Sequence, residues 1–170
     1  MQRRIWIKAV AALVALAAAP WAAAQADWPT RPVTLIVPFA AGGTTDIVAR
    51  LVGQKLSQAW GQPIVVEDRP GAGGNIGAGV VAKAAPDGYT LLVPSGSILT
   101  VNPHIYKDMG FDVKKDLVPI TNMAAGPMIV VVNPGVPART LQELIALAKK
   151  EPGKLNFGSA GVGSQVHMAG

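Results

Sequence analysis

Apolar residues are distributed along this chain in two alternating textures, short β-branched runs and longer stretches with a helical period. The run Val33-Thr34-Leu35-Ile36-Val37 predicts a buried strand over 33–37, and the pattern that follows predicts a helix over about 46–60. Gln62-Pro63-Ile64-Val65-Val66-Glu67 reads as a second strand. A second helix is expected over 75–85, with small residues at Gly77, Ala78, Gly79 and Ala82, and the turn residues Pro86-Asp87-Gly88 stop it. Tyr89-Thr90-Leu91-Leu92-Val93 is a third strand. Alternation of this kind predicts an α/β fold, a parallel sheet flanked by helices.

The same rhythm resumes after a longer connection. Met128-Ile129-Val130-Val131-Val132-Asn133 reads as a strand, ended by Asn133-Pro134-Gly135-Val136-Pro137. Thr140 then caps an amphipathic helix over 141–150, with Leu141, Leu144, Ile145 and Ala148 on one face. Leu155-Asn156-Phe157-Gly158 is a further strand, and Gly161-Val162-Gly163-Ser164 turns into another helix. A domain needs both layers to bury its sheet, and this second unit reaches Gly170 with at most two strands. The expectation is therefore a first α/β domain over 27–131 and the start of a second over 132–170, in the N-terminal part of a longer protein.

Residues 1–26 change how the charge is read. A basic head with Arg3, Arg4 and Lys8 precedes an apolar run over 9–19 and small residues ending at Ala22-Ala23-Ala24 or Ala24-Gln25-Ala26. That is the pattern of a secretory signal peptide cleaved near Ala24 or Ala26, and its apolar run is too short to span a bilayer. The leader carries three positive residues and no acid, so the net charge of +5 falls to +2 in the mature chain. Nucleic acid is not an expected partner at that charge. With no cysteine, the chain can form no disulfide and offers no site for lipoprotein modification. The expected compartment is the periplasm.

Candidate chemistry gathers at the glycine turns. In Val37-Pro38-Phe39-Ala40-Ala41-Gly42-Gly43-Thr44-Thr45-Asp46 a strand end, a sharp turn and a helix start follow in ten residues, leaving first-turn amides to favour an anion. Asp46 has two readings: a helix-start acid that complements the macrodipole, or a group facing the ammonium, hydroxyl or ordered water of a ligand. Ser95-Gly96-Ser97 follows the third strand at the same end of the sheet. Its hydroxyls can donate to a carboxylate there, or serve only as turn former and helix cap. The segment Ser159-Ala160-Gly161-Val162-Gly163-Ser164-Gln165-Val166-His167 repeats the first design in the second unit.

Other motifs are set aside on spacing. Gly71-Ala72-Gly73-Gly74-Asn75-Ile76-Gly77 has Ile76 where a dinucleotide-binding turn needs its third glycine, and no Lys-Ser or Lys-Thr follows. A tight turn with close helix-to-sheet packing is the preferred reading. Ser164 and His167 lie on one helical face, but no acid orients the histidine and no strained elbow precedes the serine. His104 and His167 are the only histidines and there are no paired carboxylates at ligand spacing, so neither a metal site nor a cofactor is expected. Two anion cradles facing one another would suit a small molecule with two carboxylates, bound without turnover.

These motifs closely resemble the Bug family, the TctC-like extracytoplasmic solute-binding receptors of tripartite tricarboxylate transporters. The resemblance rests on Trp28-Pro29-Thr30-Arg31-Pro32-Val33, the cradle through Asp46-Ile47-Val48-Ala49-Arg50, and Asn75-Ile76-Gly77. It continues in Ala84-Ala85-Pro86-Asp87-Gly88-Tyr89-Thr90-Leu91, Asn102-Pro103 and Gly158-Ser159 through His167. It implies a type II periplasmic-binding-protein fold, two α/β domains with the ligand between them and the second incomplete here. Carried over by position, Phe39, Ala40, Ala41, Gly42 and Gly43 would give amides to one carboxylate and Asp46 would face the cleft. Ser95 and Ser97 would be polar contacts, and Ser159, Gly161, Ser164 and His167 the opposing cradle; His104 matches no motif and has no role. The implied partners are a small carboxylate and the transporter's membrane subunits, with the receptor a monomer. A carboxylate sensor feeding a membrane kinase and an exported serine hydrolase using Ser164 and His167 are the competing readings.

Overall fold

A computed structural model describes residues 28–170, so the signal-peptide reading lies outside the described residues. Three parallel strands form the sheet: β1 (Val33–Val37), β2 (Ile64–Asp68) and β3 (Thr90–Leu92), in the order β2-β1-β3. Val33 lies opposite Ile64 and Val37 opposite Asp68, while Thr34 lies opposite Thr90. The ladder runs one residue past each end of β3, because Thr34 N–H donates to the Tyr89 carbonyl and Val93 N–H to that of Ile36. The strand expected over 89–93 is thus engaged along its length.

Helix α1 (Thr44–Trp60) follows β1 and packs on β1 and β2; helix α2 (Asn75–Ala82) follows β2 and packs on β1 and β3. Right-handed crossovers leading to opposite sides of β1 place these helices on opposite faces of the sheet. Both faces of β1 are accordingly shut off from water, with Val33, Leu35, Ile36 and Val37 all buried. Leu35, Val37, Ala49 and Val93 form the core cluster, extended by Phe39, Ile64, Val66, Leu91 and Met123. Gly53 lets α1 come close: a Cβ there would lie 3.1 Å from Ile64 Cγ2. Gly61 ends α1 in the left-handed conformation, its N–H donating to the Ser57 carbonyl.

Helix α2 stops at Ala82, three residues short of the expected Ala85, and a 3-10 turn over Ala72–Gly74 leads into it. A Cβ on Gly77 would lie 2.9 Å from both Pro38 Cα and the Arg69 carbonyl oxygen. The glycine-rich segment before and within α2 therefore serves tight backbone contact, as its spacing suggested. Two short helices follow β3: α3 (Gly96–Thr100) and α4 (Asn102–Ile105).

Two expected strands do not form. Residues 128–133 and 155–158 carry no ladder, because neither finds a strand to pair with among the described residues. A β-branched run acquires strand structure only when its amides and carbonyls have a neighbouring edge. Helix α5 (Leu141–Lys150) forms as predicted, with a complete capping box between Thr140 and Glu143. Its apolar face is nonetheless open, Leu141 and Ile145 being about half exposed. The chain ends in α6 (Gln165–Ala169).

At the N-terminal ends of the strands an aromatic clasp ties Trp28 to the domain. Trp28 meets Trp60 edge-on with centroids 4.9 Å apart and lies 5.9 Å from Tyr89. Arg31 stacks 3.8 Å over the Tyr89 ring while pairing with Asp87 at 2.9 Å. Hydrogen bonds from Thr30, its hydroxyl first and its amide second, hold the Tyr89 phenol below its ordinary pKa.

Candidate functional site

The loop between β1 and α1 opens at the carboxyl end of the central strand. The chain leaves β1 toward α1 on one side, while β3 arrives on the other; in open α/β sheets such a point is where ligands bind. Pro38 is buried, Phe39 half-buried, and Ala40, Ala41, Gly42 and Gly43 are exposed. Gly42 adopts φ +80°, which turns the chain into the helix.

The amides of this loop divide into two groups. Gly42 N–H donates to Asp46 Oδ2 at 2.7 Å, and Gly43 N–H makes a long 3.4 Å bond to the Ala40 carbonyl. Those of Phe39, Ala40, Ala41, Thr44, Thr45 and Asp46 make no hydrogen bond among the described residues. Three of these belong to the first turn of a 17-residue helix, whose aligned peptide dipoles favour negative charge at that end.

Asp46 is engaged within the loop. It is 4% exposed; Oδ2 accepts from Gly42, and Oδ1 lies 2.6 Å from Arg50 Nε as an ion pair not aligned for a hydrogen bond. Arg50 extends the contact to Asp68 Oδ2 at the end of β2, at 3.0 Å. One residue of the cradle thus has its charge compensated from one helical turn below, a pairing visible in the i,i+4 spacing of Asp46 and Arg50 that the sequence reading overlooked.

Ser95 sits at the N-cap of α3, and its Oγ lies 2.8 Å from Ser97 Oγ; Ser97 is buried. Ile98, one residue on, packs against Gly74, and a Cβ at Gly74 would also come within 3.4 Å of Phe39 Cζ. The first glycine turn and the serine pair therefore converge on the 3-10 turn before α2.

The second glycine module reaches the same turn from the other side. Tyr106 Oη donates to the Val162 carbonyl at 2.7 Å, and a Cβ on Gly73 would run into that carbonyl oxygen. Ser164 is buried as the N-cap of α6 and its Oγ accepts from His167 N–H at 3.3 Å. The His167 ring points elsewhere, with Nδ1 3.1 Å from Ser159 Oγ, which also accepts from Gly161 N–H. Ser164 and His167 are joined through backbone capping, and the imidazole partner is Ser159.

Beneath these loops lies a buried amide pair that sequence reasoning missed. Asn102, fully buried, donates from Nδ2 to Asn75 Oδ1 at 2.7 Å and to the Gly73 carbonyl at 3.1 Å. It ties α4, α2 and the 3-10 turn together, and the motifs Asn75-Ile76-Gly77 and Asn102-Pro103 were its only traces in the sequence.

Two open concavities flank the sheet, one of about 350 Å³ lined by Asn75, Lys83, Tyr106 and Asp108, the other of about 440 Å³ lined by Arg50, Gln54, Ile64 and Val66. Neither includes the 39–43 loop, Ser95, Ser97, Ser159 or Ser164. Among the described residues no three His, Asp or Glu side chains converge on one point, and no helix is long and apolar enough to cross a membrane.

A family model described as tripartite tricarboxylate transporter family receptor, TctC, matches residues 48–170. The protein BugT of Bordetella pertussis is 42% identical over 142 residues, covering 83% of this chain and 44% of that protein. Among solved structures, Rpa4515 of R. palustris with adipate superposes with a TM-score of 0.71 at 39% identity, over 81% of this chain and 46% of that one. The periplasmic binding protein BugD superposes with a TM-score of 0.69 at 34% identity, over 83% and 47%. The chain spans about half the length of the relatives it matches. Its α/β fold is that of these periplasmic binding proteins over the shared part, and the chain belongs to the TctC family of tripartite tricarboxylate transporter receptors.

Proposed function

We propose that this chain carries the first half of a carboxylate site in a periplasmic receptor that delivers its ligand to the membrane subunits of a tripartite transporter. The observation that carries the reading is the set of unspent amides at 39–41 and 44–46, at the positive end of α1 and the carboxyl end of the central strand. A carboxylate there accepts several N–H bonds and meets the helix dipole. The adipate named with Rpa4515 supports a dicarboxylate of similar size.

In this reading Phe39, Ala40 and Ala41 supply main-chain amides, Gly42 and Gly43 shape the turn, and Ser95 and Ser97 donate hydroxyls from the neighbouring strand end. Ser159, Gly161, Ser164 and His167 form the facing module, and Asp46 sets the geometry of the first. Residues 27–131 make one domain and 132–170 begin the other, with closure between them excluding water. The leader over 1–26 directs export and is removed near Ala24 or Ala26. Micromolar affinity needs about −8 kcal/mol, within the ceiling for a ligand of roughly ten heavy atoms.

Isothermal titration calorimetry of the protein expressed from its complete reading frame tests this reading. Mono-, di- and tricarboxylates are titrated beside the dimethyl ester of adipic acid. Saturable binding of a carboxylate and none of the ester is the expected result. Absence of binding across the whole acid panel, or equal binding of the ester, would overturn it.

A further inference from the structure

Placing a buried carboxylate inside an anion site is costly unless its charge is answered. Asp46 Oδ2 occupies Gly42 N–H, so the negative charge sits within the loop whose amides at 39–41 and 44–46 remain open. Its answer is Arg50 alone among the described cations, at 2.6 Å from Oδ1, and Arg50 divides itself between Asp46 and Asp68. Asp68 is itself mostly buried, and its Oδ1 has no hydrogen-bond partner. Two carboxylates therefore depend on one guanidinium.

We infer that Arg50 is a positioning residue for carboxylate binding, acting through Asp46: it neutralises the resident carboxylate so that a ligand carboxylate can bind beside it. The inference rests on the carboxylate reading of the same loop. Arg50 need not touch ligand. It leaves α1 one turn beyond Asp46 and holds that carboxylate against Gly42, which fixes the turn and leaves the remaining amides for an incoming anion. Without the guanidinium, Asp46 is an unpaired charge against the site, and repulsion at this range in a partly buried setting weakens an anion by roughly tenfold or more.

Binding of adipate and of monomethyl adipate to the full-length protein is measured by calorimetry for wild type, Arg50→Gln, Arg50→Lys and the double variant Asp46→Asn/Arg50→Gln. Wild type binding adipate establishes the carboxylate reading independently; if it binds no carboxylate, that reading fails and the inference with it. Given wild-type binding, Arg50→Gln is expected to lose roughly tenfold for adipate and less for the singly charged ester, Arg50→Lys to stay within about threefold, and the double variant to recover most of the loss. Arg50→Gln binding as wild type does, or a double variant as weak as Arg50→Gln, would overturn the inference. If Arg50→Gln does not fold, the double variant decides alone: a loss beyond roughly tenfold relative to wild type counts against it.

Discussion

Tyr106 Oη donates a 2.7 Å hydrogen bond to the carbonyl of Val162, joining points 56 residues apart and fastening the second glycine module to the first unit. The bond is exposed, so its net worth lies at the low end for such interactions. Tyr106→Phe keeps the ring against Gly163 and removes only the hydroxyl. A loss of about 0.5–1 kcal/mol in urea denaturation is expected, with faster hydrogen exchange over 161–169 and little change over β1.

Gly77 is the position where α2 rests on the backbone of Pro38, immediately before the cradle. Gly77→Ala inserts a methyl group 2.9 Å from Pro38 Cα and from the Arg69 carbonyl oxygen, so helix or loop must give way. The expected cost is about 1–3 kcal/mol in denaturant unfolding. Gly96→Ala, where a Cβ meets nothing within 4 Å, is the matched control and should be nearly neutral.

The capping box at α5 makes a local prediction. Thr140→Ala removes the acceptor for Glu143 N–H and should lower stability by about 1 kcal/mol, with fraying of α5 read from amide exchange over 141–144. Thr140→Ser, which keeps the oxygen, should restore most of it.

Tyr89 titrates below its ordinary value of 10.0 because Thr30 hydrogen bonds favour the phenolate. With the folded pKa depressed, this group adds stability above the unfolded pKa and loses it as pH falls through the folded one. An ultraviolet-monitored titration should show one of the two tyrosines ionising early, and Tyr89→Phe should abolish that early phase. A Tyr106→Phe protein that lost it instead would show the assignment to be mistaken.

Much of the secondary structure was legible because its signals are local. The strand at Val33–Val37, the helix that follows, and the Thr140 cap each announce themselves within a few residues, and each is found where expected to within a turn. Residues 128–133 and 155–158 show the limit: β-propensity describes a surface fit, and without an edge to pair with it yields no strand. The first glycine turn was likewise readable, but not the way Gly42 N–H is spent on Asp46, since that depends on where a side chain turns. Asn75 and Asn102 were out of reach for a different reason: their contact spans 27 residues, and nothing in either neighbourhood names the other.

The order β2-β1-β3 also fixes a timetable for the growing chain. β1 is made first, yet neither of its neighbours can come from a hairpin, because both pairings are parallel and need a crossover. Its first edge closes only once Asp68 has been synthesised, and its second only after Leu92. Until Asp68 a strand destined for the middle of the sheet carries two open edges on a largely apolar run, and until Leu92 it still carries one, which is the setting in which nascent chains associate with one another. A pause in translation between Val37 and Leu92 would therefore lengthen the period of greatest hazard, whereas a pause after Leu92 would give the sheet time to close.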